Sequence, residues 1–307
     1  MTTEVISAAE SGEWKLGDLP VHRLGFGTMR LPQTGKALIP DAVPRDRAQA
    51  IAVLRRAVEL GVNHIDTAAF YFSPLRSANE LLNTALAPYP DDLVIATKVG
   101  PARDAAGEWA PHAMTPEALR AQVEENLRQL GRDHLDVVNL RIVRDDHFEE
   151  RFGALAEMRA AGLIRHLGLS NVRPEHVERA RAIAPVVCVQ NPFAFGAFPE
   201  QRKMLRLCGE LGIAFVPFYS LAGTRREAGA DETSGADEND QIQAIARAHE
   251  ATPAQIRLAW TLHQGPHVLA IPGTGDLGHL AQNVAAGAIR LTPAELSALD
   301  GAAVPTS

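Results

Sequence analysis

The chain has 307 residues, of which 46% are hydrophobic, and a formal net charge of −7 at pH 7. This length suits either one large α/β barrel or two smaller domains, and the hydrophobic content is ample for a buried core. The mild acidity and the lack of a dominant basic stretch argue against nucleic acid as a partner. No apolar run approaches the roughly 20 residues of a membrane span, and the N-terminus lacks a signal-peptide pattern. We therefore expect a cytoplasmic protein with no membrane partner.

The predicted elements begin with a hairpin and continue as alternating strands and helices. Residues 1 to about 12 look loose, and short strands on either side of Gly17 indicate an N-terminal β-hairpin. Apolar strands are then expected around eight positions: 24, 64, 95, 138, 167, 188, 216 and 270. Helices separate almost all of them, which predicts parallel strands and a single (β/α)8 TIM barrel over residues 1–307. A doubly wound sheet is the alternative, but no strand is followed by a G-x-G-x-x-G turn.

Capping residues mark several of the predicted helices. Gly61 ends a helix that is expected over residues 44–60, and Gly131 ends one that opens at Thr115. Thr252 and Thr292, each followed by proline, open two more helices. The chain has two cysteines, Cys188 and Cys208, and neither has the spacing of a metal site, so we expect both to be reduced and packed in the core.

Two consecutive predicted strands end in ionisable side chains. Asp66 ends the second strand, Lys98 ends the third, and Tyr71 follows Asp66 by five residues. An ammonium that a carboxylate holds beside a phenol is expected to lower the pKa of the phenol. Such a tyrosine can donate a proton to a carbonyl oxygen near neutral pH. Each residue alone is more often a turn, a packed ring or a solvated charge, so the hypothesis depends on the three together.

This arrangement resembles the aldo-keto reductase superfamily, whose barrel strands carry Asp, Tyr and Lys in this order. The resemblance extends from about Val21 to Leu299. It implies NADPH-dependent reduction of an aldehyde or ketone to an alcohol, with Tyr71 as the proton donor and with Lys98 and Asp66 assisting it.

Further motifs after the other strands are similar to the cofactor site of the family. The resemblance implies a cofactor-binding set of Gly27, Thr28, Met29, Asp66, Ser170, Asn171, Gln190, Phe218, Tyr219, Ser220, Leu221, Gly273, Thr274, His279, Gln282 and Asn283. The helix that follows Gly275 is expected to offer its N-terminus to a phosphate. His279 stands where the family commonly has a longer basic side chain, which weakens the case for NADPH over NADH, although NADPH remains the expectation. Arg225 or Arg226, in a long polar loop, is a candidate contact for the pyrophosphate.

Arg141 ends the fourth strand, where the family usually has a catalytic histidine. Arginine cannot act as a general acid, but it can orient a carbonyl, stabilise a developing oxyanion or bind an anionic or phenolate substrate. We expect Arg141 to lower the pKa of Tyr71; the alternative is a structural ion pair with Asp136 or a loop acid. The resemblance thus implies a substrate site of Tyr71, Trp109 and Arg141, with further aromatic residues in the surrounding loops: Phe193, Phe195 and Phe198.

The runs around strands two and four are similar to one branch of the superfamily, which includes bacterial pyridoxal reductases. An aromatic-lined pocket would suit a flat aldehyde such as pyridoxal. Two other classes remain open: a nicotinamide-binding regulatory barrel, like the potassium-channel β subunits, and a cofactor-independent barrel lyase or isomerase. The sequence does not give the oligomeric state.

Overall fold

The computed structural model describes residues 6–110, 114–144, 146–197, 199–218 and 240–302. The expectation of a loose segment to about residue 12 is wrong for Ala8–Ser11, which form a short 3-10 helix with Ala8 buried. An antiparallel pair of strands follows, β1 (Glu13–Leu16) and β2 (Leu19–His22). The turn between them contains Gly17, whose φ of 69° lies in the left-handed region that glycine tolerates. The predicted hairpin is therefore present.

Seven parallel strands form one curled sheet. In chain order they are β3 (Phe26–Gly27), β6 (His64–Asp66), β9 (Val94–Val99), β10 (Leu135–Arg141), β11 (Ile164–Ser170), β12 (Val186–Gln190) and β13 (Ala214–Phe215), and they neighbour one another in that order. Two further short antiparallel pairs lie in the loops: β4 (Gln33–Thr34) with β5 (Val43–Pro44), and β7 (Phe72–Ser73) with β8 (Arg76–Ser77).

The two edges of this sheet meet across the segment that was predicted as the eighth strand. Val268 forms a parallel bridge with Phe215, and Ala270 forms one with Leu24. Gly25 N donates to Ala270 O over 2.8 Å, and Leu269 N donates to Phe215 O over 2.9 Å. The predicted eighth strand is thus reduced to isolated bridges, and the result is an α/β fold of the TIM-barrel type.

Helices alternate with the strands as the sequence predicts. They are α1 (Arg47–Glu59), α2 (Ala78–Leu86), α3 (Pro116–Leu130), α4 (Phe148–Ala160), α5 (Pro174–Arg181), α6 (Pro199–Glu210), α7 (Asp240–Ala248), α8 (Pro253–His263), α9 (Leu277–Ala285) and α10 (Pro293–Ala302). Thr115 caps α3, and Gly131 ends it at a φ of 65°, as predicted. The start of α1 was predicted three residues too early, because the carboxylate of Asp46 caps the helix by accepting the Gln49 N–H over 2.8 Å. α4 begins at Phe148, which is buried and stacks on the ring of Phe152 at 6.0 Å.

The core has two main parts. The larger part packs the helices on the outside of the sheet. The smaller part contains Leu16 and Val21 of the hairpin together with buried side chains of several strands, among them Val137 and Cys188. The hairpin therefore covers one end of the sheet interior, which leaves the carboxyl ends of the strands for a site.

Both cysteines are free and buried, as predicted. Burial raises the pKa of both thiols, that of Cys208 to about 12, so neither thiol ionises near neutral pH. Among the described residues, no helix is long and apolar enough to cross a membrane.

Candidate active site

Asp66 and Lys98 form a buried ion pair at the carboxyl ends of β6 and β9. The two strands are neighbours, with Asp66 opposite Ala96, so the two side chains emerge beside each other. Lys98 Nζ donates to Asp66 Oδ1 over 2.5 Å, and it donates to the carbonyl oxygen of Thr67 over 3.2 Å. The second carboxylate oxygen accepts a hydrogen bond of 2.6 Å from Gln190 Nε2. Burial disfavours the charge on Lys98, but attraction to Asp66 and Tyr71 holds its pKa above the ordinary value, so the side chain is an ammonium.

Tyr71 lies beside this ion pair and is itself only 8% exposed. Lys98 Nζ is 5.1 Å from the centroid of its ring. The expectation of a lowered phenol pKa is wrong for this structure. Burial, which is the largest effect, raises the pKa of Tyr71; Lys98 lowers it, Asp66 raises it and Arg141 lowers it, and the result stays above the ordinary value. Tyr71 therefore keeps its proton at neutral pH, as a proton donor must.

Arg141 lies at the end of β10, in register with Ser170 of β11. Its Nη1 donates to Ser170 Oγ over 3.3 Å, and its guanidinium carbon is 5.2 Å from the ring centroid of Phe218. The alternative of an ion pair with Asp136 is wrong, because Asp136 is bound by Arg132 at 3.1 Å. Across the described ranges, no carboxylate forms an ion pair with Arg141.

Three residues of the predicted cofactor-binding set, Ser170, Asn171 and Gln190, lie at the ends of β11 and β12. Ser170 and Gln190 are buried and directly opposite each other in the register of the two strands. Gln190 Oε1 is buried and accepts no hydrogen bond from any described residue, although its Nε2 is bound to Asp66. Asn171 adopts a left-handed conformation, with φ of 59°, and donates its side-chain amide to Ile142 O over 2.9 Å. An unsatisfied buried acceptor beside a hydroxyl fits the N–H of a carboxamide.

The glycines of the first and eighth strand ends pack on each other. A Cβ atom on Gly27 would lie 2.7 Å from Ile271 O, and one on Gly273 would lie 2.5 Å from Gly27 O. Both positions thus need glycine for the approach of the two strand ends. Thr28, next along, is fully buried and donates its hydroxyl to Thr67 over 2.9 Å. Met29 packs against the buried group that contains Tyr71.

The N-terminus of α9, where the sequence predicts a phosphate, carries its own anionic cap. Asp276 Oδ1 accepts the backbone N–H of His279 over 2.8 Å, and the His279 ring lies 4.0 Å from that carboxylate. His279 and Gln282 are exposed, whereas Asn283 is buried, and Thr274 Oγ1 accepts the Asp276 N–H over 3.1 Å. A capping carboxylate offsets the positive end of the helix dipole, so this helix alone attracts phosphate less than predicted.

Arg45 also lies near the N-terminus of α9, beside Gly275, and the sequence did not mark it as a site residue. Its Nη1 donates to Gly275 O over 3.4 Å, and Gln49 Nε2 donates to the same oxygen over 2.9 Å. A Cβ atom on Gly275 would overlap the guanidinium. Nothing in the local pattern marks Arg45; only the packing of segments about 230 residues apart brings the cation there.

Aromatic rings extend from Tyr71 toward solvent. The ring centroid of Phe70 lies 5.0 Å from that of Tyr71 and 5.9 Å from that of Trp109, which is 48% exposed. Phe70 was not predicted as a site residue, although it lies in the same loop. The expectation for Phe193 is wrong, because its buried ring stacks on that of Trp260 in the core at 5.7 Å. Phe195 is half-buried, and its ring lies 5.5 Å from that of Trp260. The remaining predicted residues, Phe198, Tyr219, Ser220, Leu221, Arg225 and Arg226, lie outside the described residues.

Comparisons with known proteins agree with this geometry. A family model described as "Aldo/keto reductase family" matches residues 23–304. Pyridoxine 4-dehydrogenase of Escherichia coli (strain K12) is 42% identical over 298 residues, which are 95% of this chain and 98% of the relative. An aldo/keto reductase from Klebsiella pneumoniae, solved in complex with NADP and acetate, is 27% identical with a TM-score of 0.76 over 94% of each chain. A second structure from that organism, in complex with NADPH, is 26% identical with a TM-score of 0.76 over 94% of this chain and 93% of its own.

The fold and the site define an enzyme of the carbonyl–alcohol oxidoreductase class. The chain belongs to the aldo/keto reductase family. Both the predicted family and its pyridoxal reductase-like branch are confirmed.

Proposed function

We propose that the protein is an NADPH-dependent reductase of aldehydes, with pyridoxal, reduced to pyridoxine, as its substrate, and that residues 1–307 act as one domain. The observation that carries this proposal is the buried ion pair of Asp66 and Lys98 beside the protonated Tyr71. The E. coli relative at 42% identity supports the substrate, and the two Klebsiella complexes support the cofactor.

The site residues fit a nicotinamide. Gln190 Oε1 needs a donor, and the N–H of a carboxamide supplies one next to Ser170. NADPH supplies a hydride to the carbonyl carbon when it is bound. The protein's part is to hold the carboxamide, through Ser170, Asn171 and Gln190, and to place the substrate oxygen at the tyrosine.

Tyr71 then donates its phenolic proton to the carbonyl oxygen as that oxygen gains charge. The phenolate that remains is stabilised by the ammonium of Lys98, because a positive charge beside it lowers the energy of the ionised form. Asp66 fixes the ammonium through the 2.5 Å hydrogen bond. Burial keeps the tyrosine protonated before the reaction, and Lys98 favours the release of the proton during it.

Arg141 contributes a permanent charge instead of a second acid. No carboxylate of the described chain forms an ion pair with it, and it lies between Ser170 and the ring of Phe218. We assign it to the electrostatic stabilisation of the substrate oxygen or of a phenolate on the substrate ring. Pyridoxal has both an aldehyde and a neighbouring phenol, so it presents both groups that this pair of Tyr71 and Arg141 can bind. Phe70 and Trp109 offer ring surfaces for a flat substrate.

The adenosine end of the cofactor has mixed charges around it. Asp276 disfavours a phosphate at α9, whereas Arg45 and a protonated His279 favour one. Gly273 and Thr274 are proposed to bind the adenosine phosphate region, and Gln282 and Asn283 the adenine.

The proposal is tested by the oxidation of NADPH, followed by absorbance, with pyridoxal and with a simple aromatic aldehyde. Faster turnover of pyridoxal supports both the reaction and the substrate. Turnover of the simple aldehyde alone keeps the reductase but rejects pyridoxal. NADPH binding without turnover of either aldehyde contradicts the proposal and favours a regulatory barrel.

A further inference from the structure

A chain of buried polar side chains lies behind the ion pair of Asp66 and Lys98. Side chains alternate along a strand, so when Asp66 and Lys98 face the site, their neighbours Thr67 and Thr97 face the helices. Together with Thr28, Asn79 and Asn126 they form what we call the threonine–asparagine network, and all five side chains are 0% exposed.

The bonds of the network run from the first strand toward α2. Thr28 Oγ1 donates to Thr67 Oγ1 over 2.9 Å. Thr67 Oγ1 in turn donates to Asn79 Oδ1 over 2.7 Å. The single hydroxyl of Thr67 is thus both acceptor and donor, and it joins the segment after the first strand to α2.

The network continues from α2 to α3. Asn79 Nδ2 donates to Asn126 Oδ1 over 3.0 Å, and Thr97 Oγ1 donates to the same oxygen over 2.6 Å. Asn126 Nδ2 donates to the backbone carbonyl of Gln122 over 2.8 Å. One branch of the network therefore ends on the backbone of α3, and a second runs from Asn79 Nδ2 to Gln129 Oε1 of the same helix over 3.0 Å.

Three contacts connect the network to the reacting groups. The carbonyl oxygen of Thr67 accepts a hydrogen bond of 3.2 Å from Lys98 Nζ. The backbone N–H of Thr28 donates to Asp66 O over 2.9 Å. Tyr71 lies in the segment between Thr67, which follows β6, and Asn79 in the first turn of α2, so the hydrogen bond between these two side chains joins the two ends of that segment.

We propose that Thr67, Asn79, Asn126 and Thr97 are positioning residues that hold Asp66 and Lys98 in place beside Tyr71 for proton transfer. The inference rests on the proposed reductase function. Displacements of about 1 Å at a reacting group can cost on the order of 100-fold in rate, which gives such a network a large effect without any contact to substrate.

The test compares Thr67→Val with Thr67→Ser and with Thr261→Val. Valine has the shape of threonine but no hydroxyl, and serine keeps the hydroxyl. Thr261 is the matched control, because it is also 0% exposed and its hydroxyl donates within its own helix, to Arg257 O at 2.9 Å.

Thr67→Val is expected to lower kcat for aldehyde reduction by about 10- to 100-fold, with the affinity for NADPH changed by less than about 2-fold. Because Lys98 lowers the pKa of Tyr71, a displaced Lys98 also moves the pH of half-maximal alcohol oxidation upward. Thr67→Ser and Thr261→Val are expected to keep the wild-type kcat and pH profile. A Thr67→Val enzyme with lower thermal stability but wild-type kcat and pH profile would show a merely structural network and overturn the inference.

If Thr67→Val does not fold, Thr97→Val takes its place, since it removes one hydrogen bond to Asn126, and it is expected to change kcat and pH profile in the same direction.

A second readout does not need turnover: the side-chain ¹⁵N resonance of the Lys98 ammonium. It should move in Thr67→Val and Thr97→Val and stay in Thr261→Val; an unmoved resonance contradicts the inference. A wild-type protein that reduces no aldehyde would refute the proposed function, and the resonance would still decide whether the network positions Lys98.

Discussion

Removal of the charge on Asp66 isolates the contribution of the buried ion pair. Asp66→Asn keeps the shape of the side chain but leaves the ammonium of Lys98 in a buried site without its anion. Breaking a buried pair on one side typically costs about 3–5 kcal/mol. The loss of stability in Asp66→Asn has an upper limit, because Lys98 can release its proton and become neutral. At pH 7, deprotonation of a lysine with an ordinary pKa of 10.5 costs about 5 kcal/mol, at about 1.4 kcal/mol per pH unit.

The sign of the pH dependence follows from the same linkage. In the wild type, the raised pKa of Lys98 stabilises the fold below pH 10.5, and this contribution is lost only as the pH rises through the still higher folded value. In Asp66→Asn the folded state binds the Lys98 proton more weakly than the unfolded chain does, so its stability rises with pH. The upper limit therefore falls from about 5 kcal/mol at pH 7 to about 2 kcal/mol at pH 9.

The assay is the free energy of unfolding by denaturant at pH 7, 8 and 9 (approximate settings that span the neutral to alkaline range). Asp66→Asn together with Lys98→Met should remove the pH dependence, because no lone charge is left. Asp18→Asn is the exposed control, since Asp18 is 63% exposed and pairs with Arg165, and it should cost about 1 kcal/mol or less. A pH-independent loss in Asp66→Asn alone would refute the reasoning.

The other predictions concern the charges around the site. Arg141→His should change the preference among aldehydes, measured as kcat/KM ratios, while leaving the Kd of NADPH within about 2-fold; equal losses for every aldehyde with weakened cofactor binding would contradict the assignment. Asp276→Ser keeps a capping oxygen for α9 but removes a negative charge, so NADPH should bind about 2- to 5-fold more tightly, measured by quenching of tryptophan fluorescence; unchanged or weaker binding would place the phosphate elsewhere. The raised pKa of Tyr71 predicts that aldehyde reduction, which needs the phenol, persists from neutral pH to about pH 10. Alcohol oxidation, which needs the phenolate, should increase with pH. A reduction rate that falls between pH 7 and 8 (approximate bounds of the neutral range) would contradict this prediction.

The positions of the site residues could be predicted because a parallel sheet places all carboxyl ends at one edge. Asp66 and Lys98 end neighbouring strands, so their 2.5 Å contact follows from the order of elements. The rejected pair of Arg141 and Asp136 could also have been excluded from sequence. The two residues are five positions apart on one strand, and side chains an odd number apart point to opposite faces.

Other features depend on packing that no local pattern encodes. The pKa of Tyr71 rises because the folded chain excludes water from the phenol, and the degree of burial is a property of the whole barrel. Phe193 turns to the core because Trp260, far along the chain, offers a ring to stack on at 5.7 Å. Arg45 reaches Gly275 by the same kind of long-range approach. The eighth strand was predicted by its apolar run, but its hydrogen bonds at 268 and 270 form only isolated bridges.

The central claim is that Tyr71 gives the proton to the substrate oxygen. The most direct measurement is the rate of pyridoxal reduction by Tyr71→Phe, together with its Kd for NADPH. Phenylalanine keeps the ring that packs on Phe70 and removes only the acidic hydroxyl. The account predicts a loss in kcat of about 100- to 10,000-fold, the usual contribution of a general acid, with NADPH affinity nearly unchanged. A variant that keeps most of the wild-type turnover would show that another group donates the proton.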